Sequence, residues 1–431
     1  MKQQYDSYKP SGIDWIGDIP SHWKIQRLKF GMNLINGRAY LQPELLSEGK
    51  YRILRVGNFF TNDSWYYSDM ELEDNKYCSK GDLLYAWSAS IGPYIWNEEK
   101  VIFHYHIWKV GLSGKMDKKY SFYLLDVITK VKLNDMHGSA MQHLTMENMN
   151  NSDIIVPPLA EQEAIAAWLD EKCGEIDAAI AKVDREIELI DELKQSEISR
   201  VVTRGLNPDA PLRTSGIDWI NEIPFNWSSM KLKHTVKNIE TDFMDGDWIE
   251  SNDIATEGIR YLTSGNIGAG FYKEQGDGFI TEETFAKLDC IEVFPGDLLI
   301  SRLNEPIART CFIPALGCRI VTCVDNVIYR PKPGKFDKRY MMYQLNSKPF
   351  WFNASQLSSG ATMQRISRSK LGAIKVIIPP LSEQQEIADY LDKKCAEIDE
   401  LKVKLTKKRE TLTELRQSII SEVVTGKRKV I

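Results

Sequence analysis

Apolar residues recur with heptad spacing in two long stretches of the chain. In residues 161–203, and again in 376–431, apolar positions are separated alternately by four and three residues. This spacing is the a/d stripe of a helix that packs along another helix. The predicted seam consists of Ile176, Ile180, Val183, Ile187 and Ile190 in the first stretch and Ile398, Leu401, Leu405, Leu412 and Leu415 in the second, where Lys408 occupies one slot.

Each heptad stretch begins with a proline-rich motif, VPPLAEQ at 156–162 and IPPLSEQ at 378–384. The two prolines end any preceding strand, and Ala160 or Ser382 then lies near the N-cap of a helix. About 40 helical residues at ~1.5 Å each reach roughly 60 Å. Two helices packed separately on their own domains are one alternative, but equal length and register favour an antiparallel pair.

The blocks between these motifs alternate in a different way. Short runs rich in β-branched and aromatic residues, such as KYRILRVGNFF, VIFHYHIWKV and CRIVTCVDNVIYRP, are bounded by Gly, Asn, Asp and Pro. Such runs predict β-strands. KKYSFYLLDVIT and DKRYMMYQLNS each predict one helix. The predicted fold class is therefore α+β, with two mixed β-rich domains separated by two long helices packed as an antiparallel coiled coil.

The chain contains one unit written twice. SGIDWIGDIP at 11–20 matches SGIDWINEIP at 215–224 at an offset of 204. The segments 154–177 and 192–203 match 376–399 and 414–425 at an offset of 222, so the second variable part is longer by 18 residues. Internal repetition at this scale determines the architecture more strongly than any local feature does. Joining the two termini would make the order of pieces cyclic, which predicts pseudo-two-fold symmetry within one polypeptide.

Sparse landmarks survive within the two variable blocks. RVGNFF corresponds to TSGNIG, KGDLLYAW to PGDLLISR, and GSAMQHL at 138–144 to GATMQRI at 360–366. Two blocks that share landmark residues but differ between them indicate a protein that recognises two different targets rather than one that performs a single reaction. The predicted division of the chain is 1–23, an N-terminal segment; 24–153, the first variable block; 154–206, a long helix; 207–227, a linker with the repeated decapeptide; 228–375, the second variable block; and 376–431, a second long helix.

Composition indicates a folded protein with two to three domains rather than a disordered or membrane-spanning chain. Of the 431 residues, 43% are hydrophobic and 27% are charged, and no apolar run approaches the ~18 residues of a membrane span. The start of the chain lacks the apolar core of a signal peptide, so we expect a cytoplasmic location. The seven cysteines form no C-x-x-C pair, which favours free thiols over a disulfide or zinc framework.

Charge is distributed unevenly along the chain. The net charge is −5, and the first long helix alone (154–206) carries twelve acidic and six basic residues. Residues 330–375 contain ten basic side chains against Asp337 alone, interleaved with amides and aromatic rings. Such a stretch supplies phosphate contacts and base-edge hydrogen bonds, although a solvated basic face is the alternative. Residues 101–153 hold six basic and five acidic residues with four histidines, a weaker indication.

Motifs for catalysis are missing from both copies. No methyltransferase loop of the D/N-P-P-Y/F type, no phosphate-binding G-x-x-x-x-G-K-S/T loop and no metal-ligand spacing occurs. GNIGAG at 265–270 is interpreted as a turn, and His104 with His106 lacks further ligands for a metal. Since no candidate catalytic group recurs in both copies, the sequence predicts neither a catalytic residue nor a metal site.

The doubled frame resembles the specificity subunit of type I restriction-modification systems. Each copy opens with SGIDWI-x-x-IP and closes with G-S/A-x-M-Q-x-L/I, then I/V-P-P-L-x-E-Q and a long helix. The resemblance covers essentially the whole chain. It implies that the variable blocks are target recognition domains, each reading half of a bipartite, asymmetric double-stranded DNA site, and that the helices act as a ruler.

The same resemblance implies a non-catalytic subunit within a restriction endonuclease and adenine-N6 DNA methyltransferase complex. Its expected partners are two methyltransferase subunits and the restriction and translocation subunits. No cofactor is expected in this chain, whereas S-adenosylmethionine, ATP and magnesium are expected on the partners. Two other functions are alternatives: an enzyme acting alone, and a coiled-coil scaffold that joins proteins without reading DNA.

Carried over to this sequence, the resemblance places DNA contacts beside the shared landmarks. A basic stretch makes Arg365, Arg368 and Lys370 the strongest candidates. A backbone-capping role is an equal alternative for Gln142 and Gln364, and Trp15 and Trp219 are expected to pack on the helices. The predicted DNA contacts are Asn58, Trp87, Ser88, Gln142, His143, Asn266, Arg302, Asn304, Gln364, Arg365, Arg368 and Lys370.

Overall fold

Helices and strands of the chain form two units in a computed structural model that describes residues 4–60, 62–135, 144–360 and 363–430. Unit 1 consists of Met1–Asp184 with Lys407–Ile431, and unit 2 of Arg185–Thr406. Each unit thus contains one variable block and a segment of each long helix. The α-helices are α1 Lys118–Asp135, α2 Met146–Asn150, α3 Leu159–Arg204, α4 Ile239–Asp242, α5 Glu282–Leu288, α6 Lys338–Leu345, α7 Lys348–Gln356, α8 Arg368–Ala373 and α9 Leu381–Val424.

The long helices α3 and α9 run antiparallel in both units, as predicted. In unit 1, Arg416 Nε lies 2.8 Å from Asp177 Oδ1, and Arg409 Nε lies 2.6 Å from Asp184 Oδ1. Residue numbers therefore rise along α3 while they fall along α9. Both helices start directly after the two prolines, at Leu159 and Leu381, so Ala160 and Ser382 lie in the first turn rather than at the N-cap.

Unit 2 repeats this pairing with the remaining halves of the two helices. Lys402 Nζ lies 2.7 Å from Asp191 Oδ2, and Lys194 Nζ lies 2.7 Å from Asp399 Oδ1. The spacing of seven residues between Asp177, Asp184 and Asp191 matches that between Lys402, Arg409 and Arg416. A heptad ladder of exposed ion pairs thus flanks the apolar contact, and such pairs set orientation more than they stabilise.

Most residues of the predicted apolar seam are buried or partly buried, whereas two of them are exposed. Leu401 and Leu415 are 48% and 46% exposed. The basic residues of the ladder, Lys402, Arg409 and Arg416, each follow a predicted seam position by one residue. One residue is a rotation of about 100° around the helix. The buried or partly buried seam residues are Ile176, Ile180, Val183, Ile187, Ile190, Ile398, Leu405 and Leu412.

Unit 1 is built around two four-stranded sheets, ordered β6-β5-β10-β7 and β4-β11-β8-β9. The second sheet is antiparallel, and the first contains one parallel pair, β5 with β10. Two smaller pairs, β1-β2 and β3-β12, complete the unit. The strands are β1 Tyr8–Pro10, β2 Asp18–Pro20, β3 Lys24–Arg27, β4 Met32–Asn36, β5 Tyr51–Leu54, β6 Tyr66–Ser68, β7 Tyr77–Cys78, β8 Leu83–Ala86, β9 Gly92–Ile95, β10 Val101–Phe103, β11 Ile107–Leu112 and β12 Asp153–Val156.

Unit 2 repeats this arrangement with one strand fewer. Its antiparallel sheet is ordered β16-β22-β19-β20, and its second sheet, β18-β17-β21, keeps a parallel pair between β17 and β21. The pairs β13-β14 and β15-β23 correspond to the small pairs of unit 1. The strands are β13 Leu212–Ile217, β14 Ile220–Pro224, β15 Ser228–Lys231, β16 Phe243–Asp245, β17 Ile259–Leu262, β18 Phe279–Ile280, β19 Leu298–Ser301, β20 Thr310–Phe312, β21 Ile320–Thr322, β22 Asn326–Tyr329 and β23 Lys375–Ile378.

The repeated decapeptide packs on the end of a long helix in each unit. Ile220 of the second decapeptide, with Trp227 shortly after it, is buried in a cluster that includes Val201 and Val202 near the end of α3. Ile16 of the first decapeptide, with Trp23, is buried in one that includes Val423 and Val424 at the end of α9. The N-terminal segment therefore meets the C-terminal helix just as the second decapeptide meets α3. The predicted cyclic order of pieces is confirmed.

A glycine ends each long helix in the left-handed conformation. Gly205 has a φ of 75° and Gly426 a φ of 74°. A Cβ on Gly205 would lie 3.0 Å from the Trp227 ring, and one on Gly426 would lie 2.4 Å from Pro20. Both positions therefore require glycine for backbone conformation and for space. Trp15 and Trp219 are partly buried against the same clusters, as predicted.

All seven cysteines are free thiols, as predicted, and all except Cys318 are buried. None of the helices in the described ranges combines the length and the apolar character that crossing a bilayer requires.

Candidate nucleic-acid interface

Two loops meet in the same way at the ends of equivalent strands in the two units. After β8, the Trp87 amide donates a 3.1 Å hydrogen bond to the carbonyl of His106. After β19, the Arg302 amide donates a 2.8 Å hydrogen bond to the carbonyl of Asp325. Position 87 thus corresponds to position 302, and position 106 to position 325.

A third loop completes the arrangement in each unit. The Leu144 amide donates to the Trp87 carbonyl at 3.4 Å, and the Ile366 amide donates to the Arg302 carbonyl at 3.0 Å. We call these three loops the tip of a unit. The tip comprises residues 87–91, 104–106 and 144 in unit 1 and residues 302–309, 323–325 and 363–368 in unit 2.

The tip of unit 2 gathers three arginines around two carboxylates. Arg365 Nη2 lies 2.7 Å from Asp325 Oδ1, and Arg302 Nε lies 3.2 Å from Asp245 Oδ1. Arg368 Nε lies 3.4 Å from the other oxygen of Asp245. All these side chains except that of Asp325 line a cavity of about 690 Å³. The cluster carries one more positive than negative charge.

Arg302 is fixed inside unit 2, so its predicted contact with DNA is wrong. Only 6% of its side chain is exposed. Its guanidinium donates to the carbonyl of Ile366 at 3.2 Å and to the carbonyl of Val324. Burial lowers the pKa of Arg302 and raises that of Asp245, while the opposite charge of each partner acts against this effect. Arg302 therefore joins the three loops of the tip.

The landmark asparagines also serve the fold rather than a ligand. The side-chain oxygen of Asn266 accepts from the Thr263 amide at 2.9 Å, and its amide group donates to the carbonyls of Lys273 and Gln275. Asn58 makes the equivalent bonds, accepting from Arg55 N and donating to the carbonyls of Asn62 and Ser64. These caps hold a one-turn helix after β5 and β17. The predicted DNA contact is wrong for the buried Asn266, and the polar atoms of Asn58 are committed within unit 1.

The remaining predicted residues of unit 2 lie at the surface. Asn304 is exposed with a φ of 63°, and its amide donates to the Gln364 carbonyl at 3.2 Å. The Gln364 side chain is exposed and accepts from Ser358 Oγ at 3.2 Å. Arg365 and Arg368 keep 42% and 43% of their side chains exposed. The exposed Lys370, which follows the tip on α8, donates to the Leu357 carbonyl at 3.1 Å.

The basic run at 330–375 is divided among several surfaces. Arg330 Nη2 lies 2.6 Å from Asp297, and Arg339 Nη1 lies 2.7 Å from Asp392. Both acids come from outside the run, so the local excess of positive charge in the sequence is partly offset in the fold. Arg365 and Arg368 are the members of the run that reach the tip.

The tip of unit 1 is aromatic where that of unit 2 is charged. The Trp87 ring lies 5.0 Å from His106 and 5.8 Å from Tyr105, and its Nε1 donates to the Tyr105 carbonyl at 2.7 Å. Burial, with the charges of His106 and Arg55, lowers the pKa of His104 to about 4. Ser88 is partly buried beside Trp87. The predicted contacts Gln142 and His143 lie outside the described residues.

Asp325 in the tip and Asp245 beside it carry no signal in the sequence. Asp245 ends β16 and Asp325 precedes β22, so they come from parts of the chain far from Arg365. No motif contains either residue, and their role depends on three loops meeting in space. Among the residues that the structure describes, no group of three or more His, Cys, Asp or Glu side chains is placed to hold a metal ion.

Comparison with known proteins shows that both repeats match one protein family. The model of the type I restriction modification DNA specificity domain matches residues 20–188 and again residues 227–411. The MjaVIII specificity subunit, a type I restriction enzyme subunit from Methanocaldococcus jannaschii, is 25% identical over 96% of this chain and 94% of its own length. The EcoBI specificity subunit from Escherichia coli is 20% identical over 96% and 88%.

A solved structure shares the fold at low sequence identity. A chain from a structural study of assembly and conformational transition of the type I R-M system superposes with a TM-score of 0.67 and 16% identity. The superposition covers 94% of this chain and 98% of that one. The repeat seen within the sequence is thus the repeat that the family model matches twice.

Proposed function

Because this chain belongs to the family of type I restriction-modification DNA specificity domains and is a DNA-specificity subunit, we propose that each unit reads one half of a split, asymmetric DNA site. The tip of each unit enters the groove of double-stranded DNA. The observation that carries this proposal is that one backbone frame presents two different sets of side chains at equivalent positions.

The contents of the two tips support an asymmetric site. Trp87 and His106 of unit 1 stand where Arg302 and Asp325 stand in unit 2. Identical tips would recognise a palindrome, whereas tips that differ in charge and hydrogen-bonding groups recognise different base edges. The exposed residues Asn304, Gln364, Arg365 and Arg368 of the unit 2 tip, with Lys370 next to it, are our proposed contacts in that half, and Trp87 and Ser88 are those in the other.

We further propose that the chain is non-catalytic and serves a complex of two methyltransferase subunits and the restriction and translocation subunits. In this arrangement S-adenosylmethionine, ATP and magnesium belong to the partners. Leu193 and Leu415 support two-fold docking, because they occupy equivalent positions in the repeated segments ELKQS and ELRQS and are 55% and 46% exposed. A solvated helix surface has no need to keep the same apolar residue in both copies.

Genome-wide mapping of methylated bases by long-read sequencing, with and without this gene, tests the proposal. We expect one split motif to lose its methylation on deletion and to regain it from a plasmid copy of the gene. Exchange of the blocks 24–153 and 228–375 with those of a relative should change one half of the motif at a time. An unchanged pattern, with the methyltransferase partner shown to be expressed, contradicts DNA reading and leaves the scaffold function.

A further inference from the structure

Of the two arginines in the tip of unit 2 that are both paired and exposed, Arg365 has the shorter ion pair, 2.7 Å to Asp325 against 3.4 Å from Arg368 to Asp245. We propose that Arg365, oriented by Asp325, determines specificity by donating to the major-groove edge of a guanine in the half-site of unit 2. This inference rests on the proposed DNA-reading function. To that function it adds one specified base, a guanine, and the residue that recognises it.

The backbone at Arg365 is fixed on both sides. Its amide donates to the Ser359 carbonyl at 2.9 Å, and its carbonyl accepts from the Ser359 amide at 3.0 Å. The next residue, Ile366, is fully buried and bonded to the carbonyl of Arg302. The guanidinium therefore projects from a rigid support, which lowers the entropy lost when it binds.

Four polar atoms of the cluster around Arg365 lack a hydrogen bond. Among the described residues, the Nε atoms of Arg302 and Arg365 and the Oδ1 atoms of Asp245 and Asp325 are buried and form no hydrogen bond, although the charges lie in contact. Buried polar atoms without a hydrogen-bond partner are uncommon in folded proteins. These four atoms are enclosed and face one another, so a ligand reaches the cluster through the exposed 42% of the Arg365 side chain.

The carboxylates distinguish a base edge from a phosphate. Asp325 lies 2.7 Å from the Arg365 guanidinium and balances its charge, so Arg365 attracts a phosphate less strongly than an unpaired arginine would. The O6 and N7 atoms of guanine carry no formal charge and present two acceptors that match the two donors of an arginine fork. An arginine already paired with a carboxylate thus favours guanine, and Asp325 is its positioning residue.

Unit 1 supplies an internal comparison. Its tip places His106 at the position of Asp325 and Trp87 at the position of Arg302. The carboxylate that orients the arginine is therefore missing at the equivalent place. A variant of Arg365 should change the half-site of unit 2 and leave that of unit 1 as it was.

The test is the methylated motif of cells that carry R365K, R365M or D325N together with the native methyltransferase partner. Lysine keeps the charge but loses the fork, so we expect R365K to relax one G·C position, with discrimination falling roughly tenfold or more. We expect R365M to relax the same position and D325N to weaken it in the same direction. The variant R339K is the matched control, because Arg339 is also paired with an aspartate at 2.7 Å but lies on α6, away from the tip.

Binding of the purified complex to motif duplexes at several salt concentrations supplies the second readout. A lost phosphate contact lowers the salt slope by about 0.9, whereas we expect R365M to keep the wild-type slope. Uniform loss of methylation at all sites with a lower slope means a phosphate contact and overturns the inference, as does an unchanged motif in R365M. If the wild-type protein itself directs no split motif, the proposed function has failed rather than this assignment.

Discussion

The indole nitrogen of Trp23 donates a 2.8 Å hydrogen bond to Glu161, although 138 residues separate them. The equivalent pair in unit 2, Trp227 and Glu383, is joined at 2.9 Å. In both units the first turn of a long helix is thereby bonded to the segment that opens the unit. The acid of the L-x-E-Q motif therefore belongs to the frame and not to DNA reading.

Removing this bond should destabilise unit 1. We expect Trp23→Phe to lower the free energy of unfolding by about 1 to 3 kcal/mol, because the Glu161 carboxylate, whose side chain is 11% exposed, loses its indole donor, although His22 Nε2 stays 2.9 Å from it. Trp15→Phe, at a half-buried tryptophan of the same segment, is the control and should cost less. Urea unfolding of the purified chain measures both, and equal stabilities of the two variants would contradict the argument.

The glutamine of the same motif shows what sequence can and cannot reveal. Gln162 accepts from the Asp117 amide at 2.8 Å and donates to the Pro157 carbonyl at 2.8 Å, and Gln384 makes the equivalent bonds. The repeat marks both residues in the sequence, because each stands at the same place in its copy. Sequence does not reveal that they hold a helix to its own domain, because their partners are backbone atoms without a sequence signature.

The frame was predictable because it depends on local rules. Heptad spacing, proline before the helix and glycine after it each report one element, and repetition doubles every signal. Burial was not predicted correctly for Leu401 and Leu415, because both leucine and the long apolar stem of a basic residue fit beside a helix seam. Spacing alone therefore left the phase of α9 undecided.

The tip was less predictable because its side chains come from separate loops. A basic run identified Arg365 and Arg368, but it equally identified Arg330 and Arg339, which are bound elsewhere. The landmark GDLL located Arg302 without revealing that it is buried. Only the fold separates an arginine that supports the tip from one that is presented at its surface.

Arg302 and Arg365 should therefore differ in their effect on stability. We expect Arg302→Met to lower the free energy of unfolding by roughly 2 to 4 kcal/mol, because Asp245 loses a buried partner. Arg365→Met, which breaks a partly exposed pair, should cost about 1 kcal/mol or less. Chemical denaturation of both variants decides the matter. A larger loss for Arg365→Met would mean that the exposed arginine is the structural one.

The shifted pKa of His104 predicts an acid-sensitive stability. The pKa is about 4 in the folded chain, below the ordinary value of about 6.5, so the unfolded chain binds the proton more readily. Stability should be constant above about pH 6.5 with respect to this group and fall as the pH drops towards 4. We expect His104→Gln to show a smaller drop in Tm between pH 7 and pH 5 than the wild-type protein. A wild-type imidazole that titrates near 6.5 by NMR would refute the prediction.

The repeated exposed leucines predict how many methyltransferase subunits bind. We expect Leu193→Glu or Leu415→Glu to leave one bound copy and the double variant to leave none, because each leucine lies on one of two equivalent surfaces. Neither change should alter stability by more than about 0.5 kcal/mol, since both side chains are largely exposed.

Leu189 is the matched control for this experiment. It is also exposed and lies on α3, but its equivalent in α9 is Thr411, so the apolar character is not repeated. Leu189→Glu should retain two methyltransferase copies. Native mass spectrometry of the copurified complex counts the subunits directly. Two copies on the double variant would exclude this face as the docking surface, and equal losses in all three single variants would mean that any added charge on the helix pair disrupts assembly.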